Sequence, residues 1–235
     1  MSGQRADALI AGSNFIRDDL CEQLGVEQSK IFVTPDVFET AFLRRPAQKQ
    51  LDDLRKRYEL PEKFFIYPAA AWPHKNHQRL IEAFELAAIE DSQLILTGGG
   101  HEEAEGSDNV RFLGRVSTED LVGLYCLATA MVFPSQYESW SIPVMEAMAC
   151  GCPVASSNVT SLGEQVGAAG LLFDPTDISA MAKAMQVLAG SKFLRQTLAK
   201  RGADRVRQFT PENFVQTVSQ AYEFARRAHR TKRAA

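Results

Sequence analysis

Three short stretches carry residues whose types and spacing could do chemistry. The first is Trp72-Pro73-His74-Lys75-Asn76-His77, just ahead of a helix expected from about Gln78. A lysine at such a turn can set its ammonium beside a helix N-terminus, where both attract a phosphate. Most lysines in turns of this kind are merely solvated, so these residues alone do not decide. His74 and His77 have HxxH spacing, but no carboxylate or cysteine stands in register, and no metal site is read. The second stretch, Gly98-Gly99-Gly100-His101-Glu102, permits positive φ and close backbone approach to a ligand. It is neither a GxGxxG fingerprint nor a Walker A loop; a glycine-lined nucleoside surface and a plain turn fit it equally well.

The third stretch runs from Pro134 to Val154. Pro143 and Gly151 bracket a short helix, with Glu138 in the loop before it and Glu146 on its second turn. Backbone N–H groups of Ser141, Ile142 and Val144 at the helix start could receive an anion. An ionised carboxylate accepts two donors, which suits Glu146 to a pair of sugar hydroxyls. The plain alternative for each glutamate is a capping or solvated charge. Met145, Met148 and Ala149 are expected in the core.

The elements that must position these residues alternate. Strand candidates are Ala8–Ala11, Ile31–Thr34, Phe64–Ala71, Gln93–Thr97, Val110–Leu113, Ala130–Pro134, Pro153–Ser156 and Gly170–Phe173. Several are apolar on both faces, as in strands buried inside a parallel sheet. Helical periodicity marks 78–90, 178–189 and 211–227, the last opened by Thr210-Pro211-Glu212. The pattern predicts βαβ units and a doubly wound α/β sheet, whose ligands bind in the loops after the strands. Residues 35–62 are charged and proline-bounded and read as a connector, helical only from about Leu51 to Tyr58. The basic tail 226–235 is expected to fray; a solvated end is the plain reading, with weak contact to an anionic membrane surface as the alternative.

Bulk properties narrow the class. The chain has 235 residues with Lys+Arg 26 against Asp+Glu 29, a net charge of −3, which argues against a partner that is nucleic acid. No apolar run approaches the ~18 residues of a membrane span. The first residues lack a basic segment followed by an apolar one, so no signal peptide is expected. Four irregularly spaced cysteines suit reduced thiols and a cytoplasmic location.

The run Glu138-Ser-Trp-Ser-Ile-Pro-Val-Met-Glu146-Ala-Met-Ala-Cys-Gly-Cys-Pro-Val154 resembles the E-x7-E signature of retaining GT-B glycosyltransferases of family 4 (group 1). Tyr67-Pro68 through Lys75-Asn76 and Arg79-Leu80-Ile81-Glu82-Ala83-Phe84 resemble the family's lysine segment. Leu94 to Gly98, Val110 to Gly114 and Gly170 to Pro175 resemble later landmarks in order, so the resemblance spans about Ala8 to Ala225. It implies the C-terminal, Rossmann-like half of a GT-B fold with a remnant of the N-terminal domain. The implied divisions are 1–40 (remnant and connector), 41–210 (nucleotide-sugar domain) and 211–235 (crossing helix and tail). It further implies that Lys75 binds the donor diphosphate, supported by backbone at Ser141, Ile142 and Pro143. Glu146 would take the ribose hydroxyls, Glu138 would lie by the transferred sugar, and backbone at Arg111, Phe112 and Leu113 would meet the base. Gly98 falls in the same donor site. Lys75 and Glu138 are the residues placed at the chemistry. No metal or other cofactor is implied; the donor is a GDP- or UDP-sugar and the acceptor a glycan or lipid-linked glycan.

The sequence departs from the family's pattern in four ways. Ala70 stands where an arginine is common, and Ser139 and Ser141 replace glycines between the glutamates. Pro35-Asp36-Val37 replaces an Asn-Gly turn. Family enzymes are much longer, because an acceptor domain precedes what is seen here. Two readings follow: a hexosyltransferase, transferring for example mannose with retention, present as a fragment or as half of a split enzyme; or a catalytically silent nucleotide-sugar-binding module. Either would sit in the cytoplasm, with a peripheral position at the inner membrane face as the alternative.

Overall fold

A computed structural model describes residues 5–100 and 108–234. His101 and Glu102 of the glycine stretch lie outside them. Two parallel sheets form. The small one pairs β1 (Leu9–Ala11) with β2 (Ile31–Val33). Between them runs α1 (Asn14–Leu24), capped by the Ser13 hydroxyl, which accepts from Ile16 N at 3.2 Å, and closed by left-handed Gly25. Ala11, Val26 and Ile31 make its separate small core.

The main sheet contains β3 (Lys63–Pro68), β4 (Ser92–Thr97), β5 (Val110–Phe112), β6 (Ala130–Phe133), β7 (Val154–Ser157) and β8 (Leu171–Phe173). Its order is β5-β4-β3-β6-β7-β8, parallel throughout. Phe64, Phe65, Ile66, Tyr67, Leu94, Ile95, Leu96 and all of β6 are fully buried, which is why these strands read as unbroken apolar runs. All eight expected strands form.

The helices are α2 (Gln48–Arg57), α3 (His77–Ala87), α4 (Thr118–Leu127), α5 (Ile142–Ala149), α6 (Ser161–Val166), α7 (Ile178–Gly190), α8 (Lys192–Val206) and α9 (Pro211–Ala234). α3 packs on α7, while α2 packs on α4 and α5 on α8. The supposed connector is more than a tether. Phe42, Leu54 and Leu60 are buried in the main core and Leu51 is buried beside them, because an edge helix must cover the apolar flank of α4. Helices α4 and α8 carry no clear periodic stripe in the sequence. In α4 the buried residues Val122-Gly123-Leu124-Tyr125 run consecutively, which blurs a 3.6-residue period.

The tail does not fray as expected: α9 continues to Ala234. Nothing after Pro211 breaks a helix, and Glu223 and Arg227 pair at i,i+4 (3.7 Å). This helix returns over the small sheet, with Phe224 against Phe32 (centroids 5.6 Å) and Ala221 buried. No helix among the described residues is long and apolar enough to cross a membrane.

The direction of winding reverses between β3 and β6. From β3 the chain winds outward through β4 and β5, then returns to β6 and winds the other way. The loops after these two neighbours therefore diverge and leave a crevice at their carboxyl ends.

Candidate functional site

Lys75 enters that crevice from the β3 side. A short 3-10 turn, Pro73–Lys75, ends in left-handed Asn76 (φ 61°). The Asn76 amide donates to Pro134 O (3.1 Å) and Pro175 O (2.8 Å), lacing together the loops after β3, β6 and β8. The Tyr67 hydroxyl donates to Lys75 O at 2.8 Å from below. The ammonium meets Glu138 Oε1 at 2.5 Å, with the two side chains 20% and 12% exposed, and lies 5.6 Å from the Phe133 ring centroid.

Glu138 enters from the β6 side on a pinned loop. Its N–H donates to Thr160 Oγ1 (3.1 Å) and its carbonyl accepts from Ser161 Oγ (2.9 Å). Thr160 has φ 50° and ψ −129°, a strained conformation for a β-branched residue, on the order of 1–3 kcal/mol. Ser135 Oγ lies 3.3 Å from both His74 O and Tyr137 O, tying the two loops again.

Glu146 sits on α5 beside different partners. The Tyr125 hydroxyl lies 3.4 Å from its Oε2 and 3.3 Å from Pro143 O. Burial is the main cause that lifts the Glu146 carboxyl to about 7; the Tyr125 contact opposes the shift and Glu39 adds to it. Burial also raises both Tyr125 and Tyr67 well above the usual phenol range.

The expected anion contact at Ser141 N–H needs correction. That N–H donates to Gln165 Oε1 (3.0 Å), and Gln165 Nε2 donates back to Ser141 O (2.6 Å). A buried amide satisfies the loop here because an unpaired backbone N–H would be costly. Ile142 N and Val144 N, by contrast, have no acceptor among the described residues, and Pro143 has no N–H to offer. Ser141 Oγ is buried without a partner among them. At Ser141, φ is −104° and ψ 103°, extended backbone that any residue adopts, so serine stands in for glycine there without backbone strain.

Arg111 turns its guanidinium to Tyr58 O (2.8 Å) and Glu59 O (3.1 Å), joining β5 to the end of α2. Leu113 N–H is committed to Leu96 O (2.9 Å), and Phe112 completes β5 beside it. Gly98 has φ 127°, and a Cβ there would fall 2.4 Å from Ala69 O; glycine lets the β4 loop close on the β3 loop. Over Gly99 lies the Arg115 guanidinium, with Nε 3.2 Å from where a Cβ would be.

Lys75 and Glu138 thus meet directly, while Glu146 stands further along α5. Two open cavities lie among the described residues, the first beside the Lys75 turn and the second between the segment ahead of α2 and α4. One of about 540 Å³ runs past Trp72, Arg79, Glu82 and Gln136, and one of about 600 Å³ past Glu39, Arg45, Thr118 and Glu119. Sequence reasoning missed Thr160, Gln165 and Tyr125. All three act from other elements, and no local spacing connects them to the loop they hold.

A switch-point crevice with a buried lysine–glutamate pair, in a sheet of this order, defines the C-terminal half of the GT-B fold. Residues 51–205 match the family described as glycosyl transferases group 1, and the chain belongs to that family. It is 32% identical over 232 residues to O-antigen chain mannosyltransferase B of Escherichia coli, covering 93% of this chain and 61% of the relative. The chain therefore spans less than two thirds of that relative's length. Among solved structures, sucrose-phosphate synthase from Thermosynechococcus elongatus superposes with TM-score 0.80 at 28% identity, covering 94% of this chain and 59% of that one. HepE from Anabaena, in complex with UDP and glucose, superposes with TM-score 0.77 at 19% identity, covering 99% and 65%.

Proposed function

We propose that this chain binds a nucleotide-diphosphate hexose and forms the donor half of a retaining glycosyltransferase, with mannose as the transferred sugar. The carrying observation is the Lys75–Glu138 pair, nearly buried at the switch point and adjoined by the open N-terminal turn of α5. Lys75 and the N–H groups of Ile142 and Val144 would neutralise the diphosphate as it leaves, and the unpaired Ser141 hydroxyl adds a donor. Glu138 would lie at the sugar and Glu146 at the ribose diol. The mannosyltransferase relative supports mannose; the UDP and glucose in complex with HepE support a nucleotide-sugar donor.

Transfer also needs an acceptor, a glycan or lipid-linked glycan. The second half of the cleft would come from an N-terminal GT-B domain, in the same polypeptide or as a partner. The small β1–β2 sheet favours this. A two-stranded parallel sheet is rarely stable unaided, and Ile10 on it is 46% exposed. The divisions at 1–40, 41–210 and 211–235 are proposed on the same basis. A basic run in α9 would give weak contact with the inner membrane face.

Calorimetric titration with GDP-mannose and UDP-glucose tests the reading. Binding of at least one, lost in Glu146→Ala by ~1–3 kcal/mol, is expected. Unchanged affinity in that variant would remove Glu146 from the ribose. Retention of donor affinity without transfer, after the missing half is supplied, would favour the silent binding module.

A further inference from the structure

We propose that the cavity beside the Lys75 turn is a saccharide subsite that holds a neutral glycan chain against the donor-binding half. Its identification with the acceptor rests on the transferase reading above. The cavity, about 540 Å³, falls within the roughly 300–1,000 Å³ of small-molecule sites. Trp72 stands on its wall 62% exposed, steadied by the edge of the His74 ring (centroids 6.3 Å). Its exposed indole offers a large, flat apolar face at the cavity. A pyranose suits it, because the ring's C–H face is weakly positive and the indole face is negative.

The other walls supply the polar groups that such a ring needs. Glu82 offers acceptors, Arg79 donors, and the amides of Gln78 and Gln136 both. These side chains are already oriented: Gln78 Nε2 donates to Glu82 Oε1 (3.1 Å), and Arg79 Nη1 donates to Asn76 Oδ1 (3.1 Å). One carboxylate and one guanidinium leave the lining without net charge. That favours an uncharged, hydroxyl-rich ligand over a phosphate. Gln136 is two residues before Glu138, and its N–H donates to His74 O at 2.8 Å. A sugar in the cavity therefore lies against the same two loops that carry the Lys75–Glu138 pair.

Fluorescence gives the test, since the chain has two tryptophans and Trp140 is buried. Emission of the full chain is titrated with mannobiose and mannotriose, with mannitol as an acyclic control. A saturable change with the oligosaccharides and none with mannitol is expected, weakened about tenfold in Glu82→Ala. Calorimetry on Trp72→Ala should show the same loss, while its melting temperature stays near that of the parent. Absence of saturable binding, or affinity in Trp72→Ala and Glu82→Ala unchanged from the parent, would overturn the proposal. So would a Trp72 response to nucleotide alone, which would assign the cavity to the donor. Sugar binding with no nucleotide binding would instead sink the donor reading and leave the subsite standing.

Discussion

At the residue scale, the Lys75–Glu138 pair governs how a donor would enter. A charge pair this buried is held by its own geometry, and removing one partner leaves the other uncompensated. A diphosphate at the switch point would replace the carboxylate as partner of the ammonium. Lys75→Ala should then cost a nucleoside diphosphate about 1.5–3 kcal/mol of affinity, the range for a hydrogen bond to a charged group, and the bare nucleoside far less. Calorimetry with both ligands decides, and equal losses would refute the phosphate role. Glu146 carries a pH signature. Its folded carboxyl titrates near 7 against an ordinary 4.5, so the folded state holds its proton more tightly than the unfolded chain. Its contribution to stability is therefore full below about pH 4.5, declines as pH rises, and is gone above about 7. Ribose hydroxyls need the ionised form as acceptor. Affinity for a nucleotide sugar should rise between pH 6 and 8, and Glu146→Gln should flatten that profile in the same titration.

At the element scale, the loop between β6 and α5 is rigid because distant side chains finish its hydrogen bonds. Gln165 on α6 satisfies both the N–H and the carbonyl of Ser141. Gln165→Leu should leave two buried backbone groups unpaired and destabilise the protein by ~2–6 kcal/mol, at ~1–3 per group. Chemical denaturation measures this, and a change below 1 kcal/mol, about the smallest of those penalties, would contradict it. The segment ahead of α2 behaves as core rather than as linker. Phe42 is 3% exposed, its ring faces Tyr125 (centroids 6.2 Å) and its carbonyl accepts from Cys150 Sγ (3.5 Å). Phe42→Ala should cost ~3–5 kcal/mol by the same assay.

At the scale of the whole molecule, two cores are joined by polar contacts and an aromatic one. Glu164 on α6 accepts from Asn14 N (3.2 Å), Asn14 Nδ2 (2.7 Å) and Phe15 N (3.4 Å). A carboxylate there caps the first turn of α1 from outside its own sheet, where the helix end is positive. Phe15 also meets Tyr137 (centroids 6.5 Å), so the small sheet docks on the loop that carries Glu138. Glu164→Ala should raise hydrogen exchange across residues 14–24 and leave β3, β4 and β6 protected. Uniform exchange in both regions would show that the two cores open together.

Apolar runs, helix starts and stops, and the spacing of Glu138 from Glu146 are local properties. The sequence alone therefore determined the eight strands, the parallel sheet and the family. Local pattern also placed Lys75 and Glu138 in loops at one end of that sheet, and Glu146 on the helix that follows the second of them. Only tertiary structure decided their partners. Strand order brings β3 beside β6 and so sets Lys75 on Glu138, although they are 63 positions apart. Burial in the fold, rather than any motif, raises Glu146 against the opposing contact with Tyr125. The N–H of Ser141 looked available in sequence and is taken by Gln165, because a contact 24 residues away leaves no periodic trace. Long-range pairing and desolvation depend on what the fold places nearby, and that information is spread over the whole chain.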